Sequence, residues 1–211
     1  MTKVGIIGSG VVGKALAEGF VKHGHAVKVG TREPAKLAEW AAALGSSLSV
    51  GSVADAAAFG EVAVVATAWS GTEQALLATE GKLHGKVVID ATNPLGHSAG
   101  KPELAIGHTD SGGEQVQRWL PGSKVVKAFN IINSGAMVHP DFPGGPPDMF
   151  IAGDDAEAKK TVTAICEQFG WPVTDVGGIV AARLLEPLGM LWVHIGISSG
   201  RWTNAWKLLR K

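Results

Sequence analysis

Two short stretches carry residue types whose spacing points to chemistry. The first is Gly8-Ser9-Gly10-Val11-Val12-Gly13, with glycines at G-x-G-x-x-G spacing. In such a loop Gly8 lets the chain turn sharply out of a strand, Gly10 lets the backbone approach a pyrophosphate, and Gly13 lets helix and strand pack closely. The helix that follows offers free N–H donors to the anion. The second is Gly30-Thr31-Arg32 at the next strand end. A site for the unphosphorylated dinucleotide usually carries Asp or Glu there, on the ribose 2′-hydroxyl. A carboxylate repels a 2′-phosphate, whereas a guanidinium binds it through two parallel charge-assisted hydrogen bonds. With Lys36 in reach on the first turn of the next helix, the pattern reads as a site for NADP(H).

These residues need strands and helices to position them. Residues 3–7 form an apolar run ahead of the glycines, and Val12, Leu16, Phe20 and Val21 recur at helical spacing behind them. A second strand at 27–30 closes a β-α-β unit, and a helix over 34–44 begins with Pro34 in its first turn and stops at Gly45. Short strands at 46–50, 61–66, 86–90 and 124–128 alternate with helices over 53–59, from 71 to about 79, and 114–120. A strand–helix–strand unit spans 149–175, and residues 96–113, rich in Gly, Ser and His, read as a loop. Strands alternating with helices imply a Rossmann-type α/β fold, a doubly wound, mostly parallel sheet. The expected division is a dinucleotide-binding domain over 1–176 and a helical segment over 177–211, broken near Pro187 and Gly200. Ligands of such a sheet lie at the carboxyl ends of the strands. Trp69, directly after a strand, is the aromatic residue expected near a cofactor ring.

Composition narrows the function further. The 211 residues hold 19 Lys+Arg against 19 Asp+Glu, so no global field recruits nucleic acid or an acidic membrane surface. The longest late apolar run, 188–197, is shorter than the roughly 20 residues that span a bilayer. The chain enters its first strand at once, without the regions of a signal peptide. One cysteine, Cys166, excludes an internal disulfide and a multi-cysteine metal site. A cytoplasmic protein is expected.

Absent residues narrow the reaction class. No tyrosine occurs in the chain, so a Tyr/Lys acid pair of the short-chain reductase kind is impossible. One cysteine cannot supply the zinc set of an alcohol dehydrogenase, and the last thirty or so residues are too few for a helical substrate domain. The least demanding hydride partner is then a second cofactor whose own ring absorbs the electrons.

Gly8–Gly13, Val29-Gly30-Thr31-Arg32, Asp90-Ala91-Thr92-Asn93-Pro94-Leu95, Lys127-Ala128-Phe129-Asn130 and Glu186-Pro187-Leu188-Gly189-Met190-Leu191-Trp192 together resemble the NADP oxidoreductase, coenzyme F420-dependent family, across essentially the whole chain. The cytosolic domain of the six-transmembrane metalloreductases is similar. The resemblance implies hydride transfer between NADP(H) and a deazaflavin or flavin. It implies that Ser9 and the glycine loop hold pyrophosphate, and that Thr31, Arg32 and Lys36 hold the 2′-phosphate. Ala66, Thr67, Ala68 and Trp69, with Asn93 and Pro94, would flank the nicotinamide, and Asn130, Ile132 and the C-terminal helix with His194 would border the second ring. The deazaflavin enzymes carry histidine where this chain has Asn130, so FMN, FAD, riboflavin or a quinone-like ring stands beside coenzyme F420 as the acceptor. Alternatives are an NADP(H)-binding sensor without an acceptor site and a small imine or carbonyl reductase.

The remaining candidates have plainer readings. His97 and His108 read as loop residues, and His23, His25, His84 and His139 show no ligand pairing that would make a metal case. Cys166 shares a helix face with Val162, Ile165 and Phe169. Trp192, Trp202 and Trp206 crowd the C-terminus, with the last two one helical turn apart, and suggest a homodimer interface.

Overall fold

The computed structural model describes residues 1–98 and 100–211; Ala99, within the stretch read as a loop, lies outside them. The strands in chain order are β1 (Lys3–Ile7), β2 (Ala26–Gly30), β3 (Leu48–Gly51), β4 (Val62–Val65), β5 (Val87–Asp90), β6 (Leu95–Ser98), β7 (Lys101–Leu104), β8 (Lys124–Lys127), β9 (Met149–Gly153) and β10 (Val173–Asp175). The α-helices are α1 (Val11–Lys22), α2 (Ala38–Ala43), α3 (Val53–Phe59), α4 (Thr72–Leu77), α5 (Gly112–Trp119), α6 (Ala156–Gln168) and α7 (Ala182–Ser199). Eight strands make one sheet in the order β10-β9-β8-β5-β4-β1-β2-β3. From β3 to β8 every pairing is parallel.

Helices cover both faces of the sheet, so its central strands are apolar throughout. In β4, Val62 and Val64 join the apolar layer that contains Leu16, Phe20 and Phe169. Ala63 and Val65 join the opposite layer, with Ala56, Leu76 and Val116. This is the two-residue alternation of a strand between two cores. Burial of each such Val, Leu, Ile or Phe side chain contributes about 1.5–3 kcal/mol.

Four expectations change. The stretch 96–113 holds a hairpin, in which β6 pairs antiparallel with β7, Leu95 opposite Leu104. Its Gly, His, Ser and Pro102 are weak strand formers, and no apolar face shows in the sequence. The helix placed at 114–120 starts earlier, at Gly112, where the Ser111 hydroxyl accepts the Glu114 N–H. The strand after the long 128–148 connection, β9, enters antiparallel to β8. Finally, α7 runs unbroken through Pro187 and ends at Gly200, in the left-handed conformation at φ 68°. Residues 200–211 carry no regular secondary structure, so Trp202 and Trp206 share no helix. The helical stretch Ile179–Ser199 is long and apolar enough, by length and composition, to cross a membrane, which the sequence run alone did not show. In this fold, though, it docks on α5 through buried Ala182 and Glu186 and on the turns after β5 and β8 through buried Leu185 and Gly189.

Candidate functional site

Strand register lines up the functional turns. Gly51, Gly30, Ile7, Val65, Asp90 and Lys127 are successive partners across the sheet. The chain therefore leaves β2, β1, β4, β5 and β8 along one edge, with Thr31, Gly8, Ala66, Ala91 and Ala128 side by side. The exits of β1 and β4 flank the point where strand order reverses, the position where such sheets bind ligands.

The glycine loop is built for close approach. Gly8, at φ 119°, would place a Cβ 2.4 Å from the Ala66 carbonyl oxygen. A Cβ on Gly13 would meet the Gly8 oxygen at 2.2 Å. Gly10, the N-cap of α1, has open space around its Cβ position and no side-chain cap. The first-turn N–H groups of a 12-residue helix therefore remain free for an anion, and the cradle fits a dinucleotide pyrophosphate.

Beside it, the Ser9 hydroxyl donates to Thr31 Oγ1 at 3.1 Å, and the Glu33 N–H reaches the same oxygen at 3.4 Å. Arg32 is exposed, and among the described residues it enters no ion pair. Lys36 stands in the turn Pro34–Leu37, as expected, with its ammonium 2.7 Å from Glu33 in an exposed pair, a carboxylate the sequence reading passed over.

At the other end, Asn93 Nδ2 donates to the Asn130 carbonyl at 2.7 Å, and Asn130 Nδ2 donates to Asn93 Oδ1 at 3.0 Å and to the Leu185 carbonyl at 2.9 Å. Asn130 is buried, and among the described residues its Oδ1 has no partner. Phe129 before it sits at φ 64°, a rare conformation for a bulky residue that clusters at functional sites. Thr67 is bonded to Thr72 at 2.8 Å. Ala66, Pro94 and Ile132 are buried. Trp69 packs on Trp119, ring centroids 5.4 Å apart, and against Gly112. His194 is not brought to Asn130, because it is exposed on α7, about 140° around the helix from Gly189. His97 and His108 are also exposed. Cys166 is fully buried, and burial pushes its thiol well above the usual value.

Sequence reasoning quoted Asp90, Lys127 and Glu186 without giving them a role. Lys127 Nζ lies 2.9 Å from Asp90 and 2.8 Å from Glu186, and all three side chains are buried. Burial pulls the ammonium down and the facing carboxylates more than offset it, leaving its pKa above the ordinary lysine value. Glu186 also accepts the Gly112 and Gly113 N–H groups at 2.8 and 2.9 Å. Asp90 accepts the Thr92 N–H and hydroxyl at 2.9 and 2.7 Å. Gly189 was missed as well: a Cβ there would lie 2.9 Å from Asn93 Oδ1. The available signal was a charged residue at the carboxyl end of each of two valine-rich strands.

A family model for the NADP oxidoreductase coenzyme F420-dependent proteins matches residues 3–94. Among curated relatives, the metalloreductase STEAP3 of Rattus norvegicus is 31% identical over 90% of this chain and 37% of its own length. This chain thus spans about a third of that protein. The F420-dependent NADP reductase of Methanothermobacter thermautotrophicus is 27% identical over 92% of this chain and 89% of its own. Among solved structures, a protein of Arthrobacter sp. FB24 designated an F420-dependent NADP reductase is 36% identical, with all of both chains covered and a TM-score of 0.94.

Proposed function

Because the chain belongs to the NADP oxidoreductase, coenzyme F420-dependent family, and is therefore an NADP-dependent oxidoreductase, we propose that its hydride partner is a flavin or a deazaflavin such as coenzyme F420. The observation that carries this reading is the character of the side chains at the strand ends. The exits of β4, β5 and β8 offer Thr67, Trp69, Asn93, Pro94, Asn130 and Ile132, none of which titrates near neutral pH. Asp90 and Lys127 are held in the buried ion cluster. Such a site orients two rings and leaves electron acceptance to the second ring. When bound, NADPH supplies the hydride. The chain's own residues hold it in place, the free N–H groups of α1 on the pyrophosphate, Arg32 on the 2′-phosphate and the Asn93 turn beside the nicotinamide, together with Asn130, which the resemblance gave to the second ring but which bonds directly to Asn93.

A second copy of this chain is the proposed partner. Trp192 is buried, with its ring centroid 5.3 Å from that of Trp202, and Trp202 covers Gly196. Trp192 is therefore spent on its own chain, while Trp202 stays 44% exposed. Leu184 and Leu191, on one face of α7 by their seven-residue spacing, are exposed by 71% and 46%, and a matching face is what would cover them. A sedimentation measurement should give a dimer, and a monomer at high micromolar concentration contradicts it. We place the work of such a dimer in the cytoplasm, in keeping with a chain whose one cysteine, Cys166, is free.

The acceptor is tested by mixing the protein with NADPH and, in turn, coenzyme F420, FMN and riboflavin, while following the dihydronicotinamide absorbance. Turnover with at least one ring is expected. Tight NADPH binding with no turnover on any of them would mark the chain as a cofactor-binding sensor instead.

A further inference from the structure

We propose that the buried Asp90–Lys127–Glu186 cluster is a positioning device for the nicotinamide end of the site, and that it holds Asn130 Oδ1 ready for an N–H donor of the cofactor's carboxamide. This rests on the reading that places the nicotinamide beside the Asn93 and Asn130 turns.

The cluster and the asparagine pair are two levels of one structure. Asp90 ends β5 and Lys127 ends β8, and the two are register partners. Three residues beyond each comes an asparagine, and those asparagines bond to each other. The same interval recurs in α7, where Glu186 joins the ion cluster and Gly189, three residues on, packs over the asparagines, its Cβ position 2.8 Å from the Asn130 carbonyl oxygen. Three separate segments are thus pinned at a charged level and meet again at an amide level. Thr92, between Asp90 and Asn93, fixes the first turn by giving both its N–H and its hydroxyl to Asp90 Oδ1. Leu185, next to Glu186, takes the second hydrogen of Asn130 Nδ2.

Both amide hydrogens of Asn130 are therefore used, and its Oδ1 has no partner among the described residues. A buried acceptor left unpaired is costly, and a ligand that brings an N–H removes that cost. Glu186 touches neither asparagine by hydrogen bond. It acts through Lys127 and through the seat of α7, so it is a positioning residue.

The test uses NADP⁺ and its 3-acetylpyridine analogue, which has a methyl ketone in place of the carboxamide and so lacks its N–H donors. Affinities are measured by titration for the unaltered protein, Glu186→Gln and Thr92→Val, with thermal unfolding as the check on folding. The unaltered protein should prefer NADP⁺ about tenfold, the size expected when a buried acceptor gains or loses its donor. Glu186→Gln should lose most of that preference while keeping its affinity for the analogue within about twofold. Thr92→Val, which keeps all three charges, should shift in the same direction by less, and it decides the matter if Glu186→Gln does not fold. A merely structural role would weaken both ligands alike. Equal losses, or an unchanged preference in the folded variants, would overturn the inference. No preference in the unaltered protein would instead overturn the placement of the nicotinamide.

Discussion

Gly10→Ala separates a glycine kept for a ligand from one kept for the fold. Gly10 has φ −72° and ψ −175°, extended backbone open to any residue, and nothing stands within 4 Å of where a Cβ would lie. Alanine there meets no strain, and the gain of about 0.4–1 kcal/mol from a narrower unfolded ensemble roughly offsets alanine's poorer standing at an N-cap position. The added methyl occupies the space through which a pyrophosphate would approach the first turn of α1. A hydrogen bond to a charged group is worth about 1.5–3 kcal/mol, so displacing one contact should weaken NADPH roughly ten- to a hundredfold. Gly13→Ala is the contrast. Its Cβ would sit 2.2 Å from the Gly8 oxygen and 3.0 Å from the Gly8 carbon, both backbone, and overpacking of this kind costs about 1–3 kcal/mol. Thermal unfolding and NADPH titration of both variants give the readout. Gly10→Ala should melt close to the unaltered protein and bind poorly, while Gly13→Ala should melt several degrees lower. A Gly10→Ala protein that binds NADPH normally would refute the cradle.

Glu33 is the next lever. Its carboxylate holds Lys36 at 2.7 Å, so Glu33→Gln should free the ammonium for the 2′-phosphate and tighten NADPH by about two- to fivefold, a size typical of exposed charge pairs, with NADH unchanged. A titration in which NADPH affinity stays put or falls would contradict this. At acid pH the relevant group is Asp110, bonded to Arg118 at 2.7 Å. The Arg118 hydrogen bond holds its carboxyl below the ordinary 3.8, at about 2. A depressed carboxyl stabilises the fold fully above its unfolded value and loses that contribution as pH falls through the folded one. The unaltered protein should therefore lose melting temperature between about pH 4 and pH 2 more steeply than Asp110→Asn. Parallel profiles would remove Asp110 from that role.

The parts of the fold legible in the sequence were those whose signals are local. Gly8, Gly10 and Gly13 between a buried run and a helical period announced the cradle, and the strand ends at Gly30, Val65 and Asp90 fell within a residue or so of their expected places. What stayed hidden was set by distant contacts. The β6–β7 hairpin lacks a period because it packs on no continuous apolar layer. Helix α7 survives Pro187, which removes one intrahelical hydrogen bond, because Glu186 is anchored to α5. Trp202 and Trp206 looked like neighbours on a helix, yet the Gly200 turn releases the chain to run back. There the Asp148 N–H meets the Trp206 carbonyl and Asp148 Oδ2 accepts the Leu208 N–H. Lys127 at the end of Val125-Val126 was visible as a charge at a strand end, but its two partners come from β5 and α7, 37 and 59 residues away in the chain by difference of residue numbers.

The most direct measurement is the affinity of NADPH and of NADH for the unaltered protein and for Arg32→Ala. Arg32, which follows Thr31 and among the described residues enters no ion pair, should hold the 2′-phosphate, and losing its charge-assisted hydrogen bonds should weaken NADPH about ten- to a hundredfold while leaving NADH within about twofold. Equal losses for the two cofactors would contradict the assignment of this edge of the sheet as an NADP(H) site.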